Sequence, residues 1–324
     1  MSKYILKRIL MMIPVMIGVS FIVFCMVYFT PGDPARYMLG ADATPEAIET
    51  LHREMGLDKP FLAQYANYLI NIVTKGDFGT SYTTRRSVTI EILERFPNTL
   101  RLTCMSMAFA TIIGVTTGII SAVYQYSILD NIATVISITG VSMPNFWTGL
   151  MLIILFSLKL KLFPSSGFET PAQWVLPTIM IGFASSASIM RQTRSSMLEV
   201  IRQDYITTAR AKGQTESGII FKHALRNALI SVITVIGISF GSQLGGAIIA
   251  ESIFSIPGLG KLMIDSINMK NYPMVQGCVL FTALCFSIVN LLVDLIYTVV
   301  DPRLATQYAG SSRSKKKAAK QAEQ

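Results

Sequence analysis

The chain has 324 residues, of which 51% are hydrophobic and only 15% are charged, and its net charge is +9. Soluble chains carry about 25% charged residues, so this composition excludes an ordinary soluble domain and favours a membrane protein. The basic residues lie between apolar runs, which indicates membrane topology rather than nucleic-acid binding. The four cysteines have neither zinc-ligand nor disulfide-framework spacing, so no metal site is predicted from them.

The N-terminal region covers residues 1–98 and begins with an apolar run at 9–30. This run is longer than the roughly 7–15-residue core of a signal peptide and no cleavage pattern follows, so it predicts a first span that stays attached. Residues 31–98 are polar and contain helix signals, including Thr44 before a proline and a helical repeat that stops at Gly76. We interpret this stretch as a small folded extracytoplasmic segment.

The rest of the chain predicts an all-α membrane protein with about six transmembrane helices. After the first run, apolar stretches predict spans at residues 100–124, 132–158, 174–190, 229–250 and 277–300. The third span overall, 132–158, contains Pro144 and is expected to kink there. Lys and Arg number three in residues 1–8, seven in 191–226 and six from residue 301 onward. By the positive-inside rule, both termini are cytoplasmic and residues 302–324 form a basic cytoplasmic tail.

Residues 191–226 form a predicted cytoplasmic loop with helix signals at both ends. Asp204 can cap a helix that has Lys212 in its last turn, where a cation suits the negative end of the helix dipole. Gly213 falls just after that helix, where a left-handed backbone is needed. Thr215 can cap a second helix that leads into the fifth span. The pattern predicts a stiff helix–turn–helix projection that can transmit force from a soluble partner.

Several short stretches of this sequence resemble the permease subunits of ABC importers, in particular the dipeptide, oligopeptide and nickel branch. They are DYITTARAKG at 204–213, KHALRN at 222–227, PGDP at 31–34, VSMPNFW at 141–147, RSSML at 194–198, ESIFSIPGLG at 251–260 and DPR at 301–303. The broad family pattern is Glu-Ala-Ala, three residues, then Gly, whereas Thr207, Thr208 and Ala209 precede Gly213 here. The family's acidic contact to the ATPase therefore does not carry over to Thr207.

The resemblance implies a type I permease fold, with residues 99–301 as the permease domain and residues 191–226 as the coupling loop, in a bacterial or archaeal cytoplasmic membrane. It implies a second permease subunit, two ABC ATPase subunits that each grip one coupling loop, and an extracytoplasmic substrate-binding protein. No catalytic residue, cofactor or metal is implied for this chain. The implied ATPase-coupling residues are Asp204, Tyr205, Ala209, Arg210, Ala211, Lys212, Gly213 and His223.

The turn after the fifth span supplies the pathway or gate candidates, which are Glu251, Pro257, Gly258 and Gly260. An acid near the membrane interior is a functional candidate by default. The alternative is that Glu251 is a structural partner for backbone groups of the following turn. Asp294, in the sixth span, is expected to pair with a loop arginine. No GxxxxGK[ST] loop is present, so the energy of ATP must come from separate subunits.

The sequence is compared with three classes of function: an importer subunit, a secondary transporter and a membrane enzyme. The leading hypothesis is the translocation subunit of a di- or oligopeptide importer, and a nickel importer of the same family is its nearest rival. An autonomous secondary transporter would need several intramembrane charges that form a relay, and Glu251 and Asp294 are few. A membrane enzyme would need a nucleophile–base pair or metal ligands, which His52 and His223, far apart in the sequence, do not indicate.

Overall fold

The computed structural model describes residues 2–40 and 43–300, and these residues are almost entirely helical. The predicted basic tail at 302–324 lies outside them. The helices are α1 (Ser2–Tyr28), α2 (Pro34–Leu39), α3 (Pro45–Met55), α4 (Phe61–Lys75), α5 (Val88–Val123), α6 (Ile128–Ser142), α7 (Asn145–Leu152), α8 (Pro171–Ile201), α9 (Asp204–Ala211), α10 (Glu216–Gly218), α11 (Leu225–Ile253), α12 (Leu259–Asn268) and α13 (Tyr272–Val300). Two segments are π-helical. Ile153–Lys159 extends α7, and Ile219–Ala224 precedes α11.

The described helices fit the predicted number of spans. Five stretches are long and apolar enough to cross a membrane, or up to six if α6 and α7 together make one span. Helix α5 begins at Val88 rather than near residue 100, so it extends well beyond the predicted apolar run. The fold class is therefore an all-α membrane protein, as the apolar runs predicted.

The third predicted span, 132–158, is not one helix. Helices α6 and α7 meet at an angle of 108°, a break far sharper than the predicted kink. Pro144 occupies the N-cap of α7, and Met143 before it is extended, with φ −81° and ψ 129°. A proline disfavours the helical conformation in the residue before it, so α6 ends there and α7 starts in a new direction.

The fourth predicted span, 174–190, is part of a longer helix. Helix α8 begins with a capping box in which Thr170 and Gln173 satisfy each other's backbone N–H groups, and it continues without interruption to Ile201. The predicted segment at 191–226 therefore begins inside this helix, because residues 183–201 contain neither glycine nor proline to stop it. Helix α8 therefore carries the bundle directly into the predicted projection.

The polar N-terminal segment is helical, with the predicted caps. Thr44 accepts a hydrogen bond from the N–H of Ala47 at 3.3 Å, and Gly76 ends α4 with φ +62°. Helix α4 packs on α1 through edge and tilted contacts between aromatic rings. The rings involved are Phe21, Phe24, Tyr28, Phe61, Tyr65 and Tyr68. The segment is thus attached to the first predicted span.

Helices α5 and α8 form the tightest pair in the bundle. A Cβ atom at Gly114 would lie 2.7 Å from the backbone oxygen of Ser186, and one at Gly118 would lie 2.8 Å from that of Met190. Real Cβ atoms do not approach backbone so closely, so glycine at these positions lets the two helices meet backbone to backbone. Helices α5 and α8 therefore form one closely packed pair.

The intramembrane acid Asp294 has a different partner from the one predicted. Its carboxylate lies 2.7 Å from the guanidinium of Arg8 in α1, not from an arginine of residues 191–226. The reason is that α1 packs against α13, which places the basic N-terminal end of α1 beside this last helix.

Candidate functional site

The predicted projection is present, and its first arm is α9. The helix starts at Asp204 and its N-cap is Gln203, which makes no side-chain capping bond. The prediction that Asp204 is the capping residue was therefore wrong by one position. The cause is the short connection between the two helices. Helix α8 ends at Ile201, and the two residues Arg202 and Gln203 are enough to turn the chain into α9. As the first helical residue, Asp204 still places its carboxylate at the positive end of the helix dipole.

Helix α9 ends in the left-handed turn that the glycine predicted. Lys212 is the C-cap, just beyond its predicted place in the last turn, and Gly213 follows with φ +75°. The N–H of Gly213 donates to the oxygen of Arg210 at 2.9 Å, and the N–H of Gln214 donates to that of Ala209 at 3.3 Å. This pair of bonds is a Schellman motif, which satisfies carbonyls that the helix end would otherwise leave without donors.

The second arm starts at Thr215, as predicted, with its hydroxyl accepting from the N–H of Gly218 at 3.3 Å. The two arms are joined by polar contacts between side chains. Arg210 binds both carboxylate oxygens of Glu216, at 2.8 and 3.2 Å. We call residues 204–226, which comprise α9, the Gly213 turn, α10 and the start of α11, the elbow.

Two more side-chain contacts stiffen the elbow. Nε2 of His223 lies 2.8 Å from the amide oxygen of Gln214, which connects the π-helical segment to the glycine turn. The amide of Asn227 donates to the hydroxyl of Tyr205 at 2.8 Å, which connects α11 to α9. The predicted residue His223 therefore has a helix-packing role within this chain.

The elbow has one face packed on the bundle and one face open. Ile206 is fully buried and Ala209 is 9% exposed, and both pack in an apolar cluster with Met197 of α8 and Ala122 of α5. Tyr205, Arg210, Ala211 and Lys212 are exposed on the other side. Of the predicted coupling residues, Ala209 thus contacts this chain's own core, while the polar and small residues around it form the free surface.

Sequence reasoning missed a buried ion pair beside the elbow. Arg194 on α8 binds both carboxylate oxygens of Asp130 on α6, each at 2.8 Å, and Asp130 is 3% exposed. The stretch RSSML at 194–198 had been noted only as a family-like piece, and the residues are 64 apart in the sequence. No local pattern connects residues at such a separation.

The second candidate site, around Glu251, is a closed and fully bonded turn. The Glu251 carboxylate accepts from the hydroxyl of Thr99 at 2.6 Å and from the N–H of Lys261 at 2.9 Å, and the residue has no exposed surface. Thr99 in turn accepts from the N–H of Leu259 at 2.8 Å. This geometry matches the structural alternative, in which Glu251 holds the backbone of the turn.

The other pathway candidates belong to the same turn. The carbonyl of Pro257 accepts from the amide of Asn98 at 3.0 Å. A Cβ atom at Gly258 would lie 2.2 Å from the Glu251 carboxyl group, and one at Gly260 would lie 2.6 Å from the Cα of Ile248. The structure brings all four candidates together, with glycine required at two positions so that the turn can close over the acid.

Replacing Glu251 with alanine is expected to lower the thermal stability of the purified protein. The change leaves the Thr99 hydroxyl and the N–H of Lys261 without their acceptor inside the protein, and each buried unpaired group costs about 1–3 kcal/mol. Glu251→Gln keeps an acceptor and should lose less. Melting in detergent, followed by tryptophan fluorescence, measures both variants, and Ser252→Ala, an exposed neighbour, is the control. Equal melting temperatures for Glu251→Ala and the unmodified protein would contradict this assignment.

Within the described part of the chain, no group of three His, Cys, Asp or Glu side chains is arranged to hold a metal ion. The two candidate regions are a stiff elbow with an exposed face and a bonded turn around a buried acid.

The chain is similar to known transport proteins along nearly its whole length. Residues 114–306 match the family described as binding-protein-dependent transport system inner membrane component, and residues 1–103 match its N-terminal region. The chain is 42% identical to the glutathione transport system permease protein GsiC of Escherichia coli K12 over 304 residues, which is 94% of this chain and 99% of the relative. The protein of the same name from Pectobacterium atrosepticum is 43% identical over the same span.

Solved structures agree on the fold. The inward-facing MetNI methionine ABC transporter matches with a TM-score of 0.53 and 20% identity, covering 65% of this chain and 96% of that one. An amino acid ABC transporter with histidines matches with a TM-score of 0.52 and 15% identity, covering 64% and 94%. At these identities the similarity establishes only the fold. That fold is the type I permease fold predicted from the family-like stretches of the sequence.

Proposed function

The chain belongs to the binding-protein-dependent transport system inner membrane components, the type I permeases of ABC importers, and from that premise we propose that it is the translocation subunit of an importer for di- and oligopeptides. In this role the elbow receives force from an ATPase subunit. ATP is hydrolysed by separate subunits, in keeping with the lack of a phosphate-binding loop in the sequence.

The observation that carries the coupling proposal is the elbow itself. A surface that passes on the movement of a soluble motor must be exposed where the motor binds and rigid where it joins the spans. The elbow meets both needs, with Tyr205 42% exposed on one side and Ile206 fully buried on the other. The Schellman turn at Gly213 and the Arg210–Glu216 pair hold its two arms at a set angle. Each proposed ATPase subunit would bind one such elbow.

The proposed orientation places both termini and the elbow in the cytoplasm of a bacterial or archaeal cell. The support is the distribution of charge, with Lys and Arg concentrated in residues 1–8, in 191–226 and from residue 301 onward. The segment at 31–98 then faces outward, toward an extracytoplasmic substrate-binding protein. A second permease subunit would complete the pathway, and the lipid bilayer surrounds the pair.

A peptide cargo is supported by the relatives, because they are glutathione transport system permeases and glutathione is itself a short peptide. Nickel remains the alternative of the same family, since a pathway that binds its cargo weakly needs no metal cluster of its own. A secondary transporter is less well supported. Its relay would need free acids, whereas Glu251 holds the 255–260 turn and Asp294 pairs with Arg8.

Uptake by a deletion strain separates these cargoes. We expect loss of labelled di- or oligopeptide uptake, recovery when the gene is restored, and no recovery when the partner ATPase carries an inactive nucleotide site. Labelled glutathione and nickel are measured in parallel. Loss of nickel uptake alone would favour the alternative cargo, and peptide uptake that survives without an active ATPase would favour a secondary transporter.

A further inference from the structure

The carboxylate of Asp130 is the meeting point of three elements beside the elbow. It receives both bonds from Arg194 of α8, a hydrogen bond from the hydroxyl of Ser121 near the end of α5, and one from the N–H of Tyr126 at 2.9 Å. Four bonds on one buried carboxylate satisfy nearly its full capacity as an acceptor. The pair therefore joins α5, α6 and α8 at a single point.

The same carboxylate holds a strained turn. Tyr126, between α5 and α6, has φ +65°, a left-handed conformation that non-glycine residues adopt at a cost. Its N–H is the one that donates to Asp130. A second contact, from the guanidinium of Arg202 to the side chain of Gln125 at 3.3 Å, braces this turn against the end of α8. The start of α6 is thus tied in two places to residues 194–202 at the end of α8, which we call the stem of the elbow.

Stability alone is a weak reason for such a pair. Only the Asp130 carboxylate is buried, while the Arg194 side chain is 28% exposed. Taking a carboxylate out of water costs about as much as its attraction to a partner returns, and apolar replacements of similar volume are often as stable. The more informative property is geometry, because a bidentate guanidinium–carboxylate pair fixes distance and direction together. Here it fixes the position of α6 relative to the stem of the elbow.

We propose that Asp130 and Arg194 are positioning residues that make α6, and with it the bent α6–α7 pair, follow the elbow when the ATPase moves it. This inference rests on the proposed coupling function. Helices α5 and α8 are packed backbone to backbone at Gly114 and Gly118, and in this proposal they move together. Helix α6 joins that unit at its first turn through Asp130, so displacement of the elbow reaches the break at Pro144.

The test uses the assembled importer, reconstituted in vesicles with its ATPases and binding protein. Arg194→Lys keeps the charge but cannot form the bidentate pair, and Asp130→Asn keeps one acceptor oxygen. For both variants we expect ATPase co-purification at the level of the unmodified complex. We expect peptide uptake per ATP hydrolysed to fall about five- to tenfold, which is the lower end of the roughly 5–150-fold range typical of coupling between sites. The control is Arg86→Lys, which weakens another bidentate pair, with Glu94, far from the elbow.

Uptake per ATP separates positioning from simple structural support. A purely structural pair would reduce the amount of assembled complex and leave its coupling ratio unchanged, and that result would overturn the proposal. If neither variant assembles, Ser121→Ala is measured in the same assay, because it removes one of the bonds that hold the Asp130 carboxylate in place for Arg194. A fall in uptake per ATP would support the proposal, and an unchanged ratio would overturn it. Failure of the proposed function itself is distinguishable, since the unmodified chain would then bind no ATPase.

Discussion

Gly213→Val is expected to reduce coupled uptake at least about tenfold while the protein still inserts into the membrane. At φ +75° the position lies in the left-handed region, where a residue with a Cβ atom costs about 1–2 kcal/mol and a β-branched one more. No atom lies within 4 Å of a Cβ built there, so the cost is one of backbone strain and not of a clash. Relief of that strain opens the Schellman turn and changes the angle between the two arms.

Peptide uptake and ATP hydrolysis, measured on the same vesicles, check this result. The matched control is Gly76→Val, because Gly76 also ends a helix, has φ +62° and has open space around it, but lies in the N-terminal segment. Its backbone strain is similar and its position is remote from the elbow, so coupling should persist. Gly213→Asn should retain more activity than Gly213→Val, since asparagine tolerates the left-handed conformation. Full uptake by Gly213→Val would argue against the elbow as the coupling element.

Ala209→Arg is expected to reduce ATPase co-purification at least about tenfold, because it detaches α9 from the bundle. Ala209 is 9% exposed and faces Ile206 and Met197, so an arginine there must either bury its charge, which costs several kcal/mol, or lift the helix away. Lifting α9 displaces the exposed face that the ATPase is proposed to bind.

Pull-down of the ATPases together with thermal melting distinguishes this mechanism from a direct contact. Ala209→Arg should lower both ATPase binding and the melting temperature. Ala211→Arg, on the exposed side of the same helix, should lower ATPase binding and leave melting nearly unchanged. The matched control is Ala66→Arg on the exposed side of α4, which should change neither. Wild-type co-purification by Ala209→Arg would contradict the account of the buried face.

Local signals predicted the parts of the elbow that local physics controls. Gly213 follows from the need for a residue without a Cβ atom at the end of α9, and Thr215 from its capping hydroxyl. The length of α8 follows from the same local physics. The apolar run ends at residue 190, but the helix continues to Ile201, because polar residues do not stop a helix when glycine and proline are absent from 183–201.

The sequence by itself determined the membrane class, the number of apolar runs, the place of the Pro144 break and the helix–turn–helix of the elbow. These features depend on composition, periodicity and residues close together in the chain. Only the tertiary structure decided that Ala209 faces inward, that Asp294 pairs with Arg8, and that Asp130 receives Arg194 and Glu251 receives Thr99. Those partners are far apart along the chain, and which of them meet depends on how the helices pack, which no local pattern records.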